Sequence, residues 1–354
     1  MRPVERIYVR APNWVGDFVM ATGAFERLRA AHPSARIAVA LRPYLRGLLS
    51  GTAWFDEVLD APSSVHPASI ARQVRAVRAG AFDLAVVLPN SFVTALVPFL
   101  AGVPRRAGWR QGRSFLLTEG PRAPRGKRFF WQPGPRRVPV PMPGYYAALL
   151  DRIGVPPGRI APRLAVDESD AALVRGWALE HGIGDDDQLV LLTAGASYGA
   201  SKLWAPERFA ELARRLAARA STRCVVLAGP AEVEIARGIA ALAGGPAAGV
   251  VAAVDPVLPL GGLKALCARA RLMVTADTGP RHVAVAFGVP VVCLMGPTDS
   301  RYTDYALELQ TVIQRRELPC VPCQRKVCPL GHHQCMTSIG VDEVFAAAER
   351  WLPR

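Results

Sequence analysis

Short apolar runs alternate with amphipathic stretches along most of the chain. Residues 7–10 read as a buried strand and residues 11–16 as a turn. Asp17 then opens a helix whose Phe18, Ala21, Phe25 and Leu28 share one face before Pro33 ends it. Residues 37–41 form the next strand, 58–59 a short one and 84–88 another, followed by the turn Pro89-Asn90-Ser91 and an apolar helix. A helix at 145–153 closes this half, and the proline-bearing segment 155–162 reads as a linker. The pattern then restarts. Helices are expected at 171–181, 207–220, 231–242, 263–270 and 283–287, strands at 189–192, 224–228, 272–275 and 291–294, and an amphipathic helix at 341–352. Strands alternating with helices predict an α/β protein of parallel sheets with helices on both faces. Two Rossmann-like domains facing across a cleft are expected, residues 1–162 and 163–340, with 341–354 as a terminal helix. Ligands in such sheets bind beyond the C-terminal ends of the strands, so the loops there carry the chemistry.

Residues 110–143 break the pattern. Seven prolines and a run of Arg122, Arg125, Lys127, Arg128, Arg136 and Arg137 surround Phe129, Phe130 and Trp131. This reads as a long functional loop, with a disordered insertion as the alternative. Arg72, Arg75 and Arg78, at helical spacing, read as a solvated face.

Charge narrows the partners. The 354 residues carry a net charge of +14, which favours acidic partners: a nucleotide, a phosphorylated glycolipid, an anionic membrane surface or nucleic acid. Nearly all of the basic excess is Arg. The four lysines are Lys127, Lys202, Lys264 and Lys326, and in such a chain a Lys in a polar loop points to a need for a compact ammonium. Charges at Arg2, Glu5, Arg6 and Arg10 argue against a signal segment. The charge-free stretches 84–104 and 283–298 contain proline and read as strand–turn–helix, not membrane spans. A soluble, cytoplasmic protein is expected.

Polar groups cluster in loops that follow strands. After the first strand comes Asn13-Trp14-Val15-Gly16-Asp17, where Asp17 either favours a helix start or acts as a general base, and Gly16 permits close approach of a ligand. After 189–192 comes Thr193-Ala194-Gly195-Ala196-Ser197-Tyr198-Gly199-Ala200-Ser201-Lys202. Its small residues and one ammonium suit a diphosphate, although it lacks the order of a P-loop. Gly229-Pro230-Ala231-Glu232 offers a carboxylate to a ribose or to its own helix. Finally, Asp277-Thr278-Gly279-Pro280-Arg281-His282 reads as a strand, a tight turn and a helix N-terminus with Pro280 in its first turn, a shape suited to phosphate and equally to a plain capped turn.

Taken together these stretches resemble the ADP-heptose:lipopolysaccharide heptosyltransferases of glycosyltransferase family 9, most closely the heptosyltransferase II branch. The matching residues are Asn13-Trp14-Val15-Gly16-Asp17, Leu88-Pro89-Asn90-Ser91-Phe92, the run 102–110, Gly195-Ala196 through Lys202-Leu203-Trp204, Asp277-Thr278-Gly279 with His282, and Gly296-Pro297-Thr298. The resemblance implies a GT-B fold, with the acceptor on the first domain, ADP-heptose on the second and the last helix packing back on the first. It implies inverting transfer that requires no metal or other cofactor, with a lipopolysaccharide inner-core acceptor. Asp17 would be the general base, and Lys202 would offset charge on the departing ADP. Thr278 and Gly279 would contact the diphosphate, Asp277 a sugar hydroxyl and Glu232 the ribose. His282 would be a donor-site residue or a packing one, while Thr193 and Ser197 are further phosphate candidates. Asn13, Arg106 and Arg110 are acceptor candidates, and the basic surface would suit peripheral contact with the anionic inner membrane. The proline-rich basic loop departs from the family's compact pattern.

Seven cysteines occur. Cys224, Cys267 and Cys293 lie in apolar patterns and read as core. Cys320-x2-Cys323-x4-Cys328-x6-Cys335, with His332 and His333 inside it, allows a structural zinc ion, a disulfide or reduced thiols. Two other functions compete with the preferred one. The first is another family 9 transfer, such as addition of the first heptose. The second is a nucleotide- or nucleic-acid-binding module, against which stands the lack of any recognisable nucleic-acid motif, so no nucleic-acid partner is expected. The first turn also lacks the glycine fingerprint of a dinucleotide-binding dehydrogenase.

Overall fold

The computed structural model describes residues 4–62, 65–122, 138–195 and 198–353. Ser197 and the basic aromatic stretch 123–137 therefore lie outside the described residues. The chain divides into two units, Met1–Arg163 with Arg301–Tyr305, and Leu164–Ser300 with Ala306–Arg354.

In the first unit β1 (Arg6–Arg10), β2 (Arg36–Leu41), β3 (Glu57–Asp60), β4 (Leu84–Val87) and β5 (Arg105–Gly108) form one sheet in the order β3-β2-β1-β4-β5, with every pairing parallel. In the second, β6 (Gln188–Thr193), β7 (Thr222–Leu227), β8 (Val250–Ala253), β9 (Leu272–Ala276), β10 (Val291–Leu294) and β11 (Gln310–Ile313) pair in parallel as β11-β10-β9-β6-β7-β8. Each sheet starts at its centre, winds to one edge, returns and winds to the other, which is the Rossmann order. Such a sheet opens a crevice where the order reverses, between β1 and β4 in one unit and between β6 and β9 in the other. The central strands are continuous aliphatic runs because helices cover both faces; Ile7, Val9, Ile37 and Val39 are fully buried, as are Val190, Leu192, Val274 and Val292.

The structure departs from the expected elements in two ways. β5, β8 and β11 were not anticipated; all three are four-residue edge strands with partly exposed positions. The helix expected to run from Asp17 to Pro33 is two, Val15–Met20 and Thr22–Ala31. The Thr22 hydroxyl turns back to the Val19 carbonyl at 2.8 Å and accepts from the Arg163 amide at 2.9 Å, competing with the helical ladder. Beside it, a Cβ on Gly23 would sit 2.6 Å from the Ile160 carbonyl oxygen, so only glycine permits this backbone approach. The last helix is Val341–Glu349. Its buried Val344, Ala347 and Ala348 belong to the core of the second unit, beside Phe209, Leu212 and Leu216 of the helix Pro206–Ala217. Burial of such side chains contributes about 1.5–3 kcal/mol for each large one. The flanking pairs Arg215–Asp342 and Arg219–Glu349 have exposed carboxylates and add little.

Cys224, Cys267 and Cys293 are fully buried, and burial raises their thiols, that of Cys224 to about 12. Arg72, Arg75 and Arg78 lie on the exposed face of the helix Pro67–Ala79. Among the described residues no helix is long and apolar enough to cross a membrane.

Candidate functional site

The second unit concentrates its charge at the β6–β9 switch point. Lys202, in the loop beyond β6, donates to the Asp277 carboxylate at 2.9 Å and to the Asp277 backbone carbonyl at 2.5 Å. Arg281, one helical turn beyond Asp277, donates to its other carboxylate oxygen at 2.9 Å and to the Gln310 side chain on β11 at 2.7 Å. Thr298 donates to the oxygen that Lys202 uses, at 2.8 Å. The Lys202 side chain is 8% exposed, Asp277 12% and Arg281 1%. Burial alone would raise the Asp277 carboxyl, but the two cations overcome it and hold the group well below the usual carboxylate range. His282 follows, buried; burial and the Arg281 charge push it down to about 3, so it is neutral near pH 7. Two cations against one carboxylate leave the cluster one positive charge.

Around the cluster, backbone groups face the same loops. Thr278 stands at the N-cap of the helix Gly279–Ala286 and makes no side-chain cap bond; its hydroxyl lies 3.1 Å from that of Thr275 instead. Thr193, at the end of β6, hydrogen-bonds the Thr275 hydroxyl, tying the two central strands together. Glu232 turns its carboxylate back to the Gly229 amide at 3.0 Å. A Cβ on Gly195 would meet that carboxylate at 1.9 Å, so Gly195 keeps the space that Glu232 occupies over the β6 loop.

The cysteine-rich segment has a mechanical role beside this loop. The Ser201 amide donates to the Lys326 carbonyl at 3.1 Å and its hydroxyl to Arg325 at 2.5 Å. The Tyr198 hydroxyl donates to Gln324 at 2.7 Å, and the His333 ring contacts the Ser201 carbonyl at 2.8 Å. Residues 324–333 thus clamp the loop that carries Lys202, whose ammonium sits 4.8 Å over the Tyr198 ring. Cys320, Cys323, Cys328 and Cys335 are free thiols that line one cavity of about 20 Å³ with His332 and His333. Backbone amides, that of His333 foremost, pull the Cys328 thiol down, while burial pushes Cys335 up to about 11. They share a cavity without forming a ligand set: among the described residues, no group of three or more His, Cys, Asp or Glu is arranged to hold a metal ion.

The first unit builds a different site beyond β1. Arg10 is buried, and its guanidinium donates to Asn13 Oδ1 at 2.6 Å and to the carbonyls of Ala11 and Ala40 at 2.6 and 3.2 Å. The Tyr44 hydroxyl donates to the Asn13 carbonyl at 2.5 Å. These bonds fix the turn that leads into Val15–Met20 and place Asp17, half-buried, in its first turn. The Asp17 charge reaches the phenols of Tyr44 and Tyr146, both raised first by burial. Beyond β4, Asn90 donates to the Tyr145 hydroxyl at 2.9 Å, and Tyr145 stacks on Trp109 at 4.0 Å.

A profile of glycosyltransferase family 9 (heptosyltransferase) matches residues 70–334. The chain belongs to glycosyltransferase family 9. It is therefore a glycosyltransferase, and its two Rossmann sheets are those of a GT-B fold. Lipopolysaccharide heptosyltransferase 2 of Salmonella typhimurium is 30% identical over 309 residues, covering 84% of each chain. The solved E. coli ADP-heptose lps heptosyltransferase II superposes with a TM-score of 0.74 at 27% identity, covering 96% of both chains. A family 9 glycosyltransferase from Veillonella parvula superposes at 0.84 with 22% identity over 99% of this chain and 98% of that one, a likeness of fold.

Of the residues expected to bind the donor, the glycosyltransferase brings Thr193, Lys202, Asp277, Thr278, Gly279 and His282 to one switch point, with Glu232 against the β6 loop. Three cluster members escaped the sequence reading. Arg281 looked like one arginine among many, although its spacing from Asp277 is that of a helical ion pair. Thr298 stands in the family-matching stretch Gly296-Pro297-Thr298 but had no role assigned to it, and Gln310 carried no signal of its own. The acceptor candidates all lie in the first unit. Asn13 lies beside Asp17, but Arg106 donates to the carbonyls of Leu116, Val103 and Pro104, and Arg110 to that of Thr118. Both guanidiniums close their own loop. Arg113, which the sequence did not single out, is buried and holds Ser91, Thr94, Asn90 and Trp109 together.

Proposed function

We propose that this glycosyltransferase moves L-glycero-D-manno-heptose from ADP-heptose to a heptose of the lipopolysaccharide inner core, with inversion and without a metal. The observation that carries the reading is the preformed cationic cluster at the β6–β9 switch point, in a chain whose curated relatives are named for heptosyl transfer. Departure of ADP places negative charge on the diphosphate. Lys202 and Arg281, held in place by Asp277, and the amides at the start of Gly279–Ala286 would meet that charge without reorganising. Asp277 then acts chiefly by positioning its two cations, because three side chains already occupy its carboxylate. Neutral His282 keeps the donor pocket from holding a third cation. Glu232 would take ribose hydroxyls.

On the acceptor side, Asp17 would deprotonate the attacking hydroxyl, and the new bond forms on the sugar face opposite the leaving ADP, which gives inversion. Charge compensation by side chains and amides leaves no step that calls for a metal. The basic surface favours work at the anionic cytoplasmic face of the inner membrane, where such an acceptor would be met.

Transfer from ADP-heptose to two defined cores, one ending in Kdo and one bearing a single heptose, followed by mass spectrometry, tests the reading. A heptose added only to the second core is the expected result. Addition to the Kdo core would reassign the protein to first-heptose transfer, and addition to neither would remove heptosyl transfer altogether.

A further inference from the structure

Beside Asp17 the first unit exposes groups that proton transfer does not need. Trp14 is 54% exposed and Tyr44 47%, although each ring carries a large apolar surface. The Arg42 guanidinium lies over the Trp14 ring, 5.7 Å from its centroid, and also hydrogen-bonds the Tyr44 side chain, so it bridges the two exposed rings. The arrangement is anchored to the turn that delivers Asp17. Tyr44 bonds the Asn13 carbonyl, Arg10 holds the Asn13 side chain, and the Trp14 carbonyl accepts from the Phe18 amide at 2.8 Å to begin the Asp17 helix. Along the chain Trp14 can lie no more than about 11 Å from Asp17.

Two exposed rings with a guanidinium among them match one ligand chemistry. The apolar face of a sugar ring stacks on an indole or phenol, and a planar guanidinium pairs with a phosphate or carboxylate through parallel N–H bonds that an ammonium cannot reproduce. A neutral sugar would leave the Arg42 charge without a counter-charge, and a bare phosphate would leave the rings unused. We propose that Trp14, Arg42 and Tyr44 form an acceptor subsite for an acidic sugar unit next to the residue that is attacked, with Arg42 reading the anionic group. This deepens the reading of Asp17 as the base and rests on it.

Steady-state kinetics of Arg42→Ala, Arg42→Lys and Trp14→Ala test the subsite. The substrates are ADP-heptose and a single-heptose core, intact, dephosphorylated with hydrogen fluoride, or reduced at its carboxylate. Arg42→Ala is expected to raise the KM for the intact core about tenfold or more, the loss of one charge-assisted contact, while the KM for ADP-heptose stays put. Arg42→Lys should recover part of the loss. Trp14→Ala should raise the acceptor KM for every core. If the Arg42 effect vanishes on the dephosphorylated core, the group read is a phosphate; if it vanishes on the reduced core, a carboxylate. Either result upholds the subsite. An Arg42→Ala enzyme with unchanged acceptor KM, an equal effect on all three cores, or an equal rise in donor KM would overturn it while leaving heptosyl transfer intact. Absence of turnover by the wild type would instead sink the underlying function and the subsite with it. Arg42→Lys keeps the aliphatic stem, so it stays informative where the alanine variant folds poorly.

Discussion

At the switch point of the second sheet, Lys202, Asp277 and Arg281 are nearly buried and bonded to one another; at that of the first, Trp14 and Tyr44 stand about half exposed and Asp17 is half-buried. Both sites hang from the same winding order and both lie where it reverses. The difference follows from what each would hold. A diphosphate has a constant shape and charge, so a site that prepays the desolvation and fixing of its cations gains when charge develops on the leaving group. A branched glycan acceptor varies beyond the attacked sugar, and rings on a surface accept such variation better than a locked ion network. The locked site also carries a cost. Removing either partner of a buried pair leaves an uncompensated charge, whereas trimming an exposed ring does not.

The comparison breaks most visibly at Asp17. If the first unit supplies the base and the second binds the nucleotide, Asp17→Asn should lower turnover by at least about a hundredfold, as loss of general-base catalysis does. Its melting temperature should stay within a few degrees of the wild type. Retained turnover in that isosteric variant would remove the base from the first unit.

A smaller effect is expected at Gly195. Alanine there forces the Glu232 carboxylate off the Gly229 amide. The KM for ADP-heptose should rise about five- to tenfold, the size of one charge-assisted hydrogen bond, with the acceptor KM unchanged. A change confined to the acceptor KM would mean that Glu232 does not serve the donor.

The last effect concerns stability, not turnover. His282 is held neutral with its folded value near 3, below the ordinary histidine value of about 6.5. The unfolded chain therefore binds the extra proton first. His282 contributes fully above about pH 6.5, and its contribution falls by up to about 1.4 kcal/mol per pH unit as the pH drops toward 3. Urea unfolding followed from pH 7 to pH 4 should show this slope, and His282→Gln should flatten it. An unchanged slope would assign the acid sensitivity to other groups.

What the sequence revealed follows the same divide between centre and margin. Central strands such as 37–41 and 291–294 stood out because burial on both faces demands unbroken aliphatic runs. The edge strands β5 and β11 did not, because one flank is unpaired and Arg105, Arg106 or Gln310 can stand in them, and β8 is only the four residues Val250–Ala253. Lys202 was conspicuous as a rare lysine in a glycine-rich loop. Arg281 was not, since nothing local separates a buried arginine that grips Asp277 from the many that face water. Nor does charge alone tell what Arg106 and Arg110 hold: both bond carbonyls of their own loop. Burial of the last helix was legible from its amphipathic face, but which unit it covers depends on tertiary packing that no local pattern encodes.

The proposed reaction divides the labour: the nucleotide would be held by the second unit through Lys202, and the chemistry of the acceptor would be begun by Asp17 in the first. Calorimetric titration of ADP into the wild type, Lys202→Ala and Asp17→Asn tests that division directly. Lys202→Ala should weaken ADP binding at least about tenfold, and Asp17→Asn should bind ADP as the wild type does. Equal affinity in all three proteins, or a loss confined to Asp17→Asn, would contradict that division.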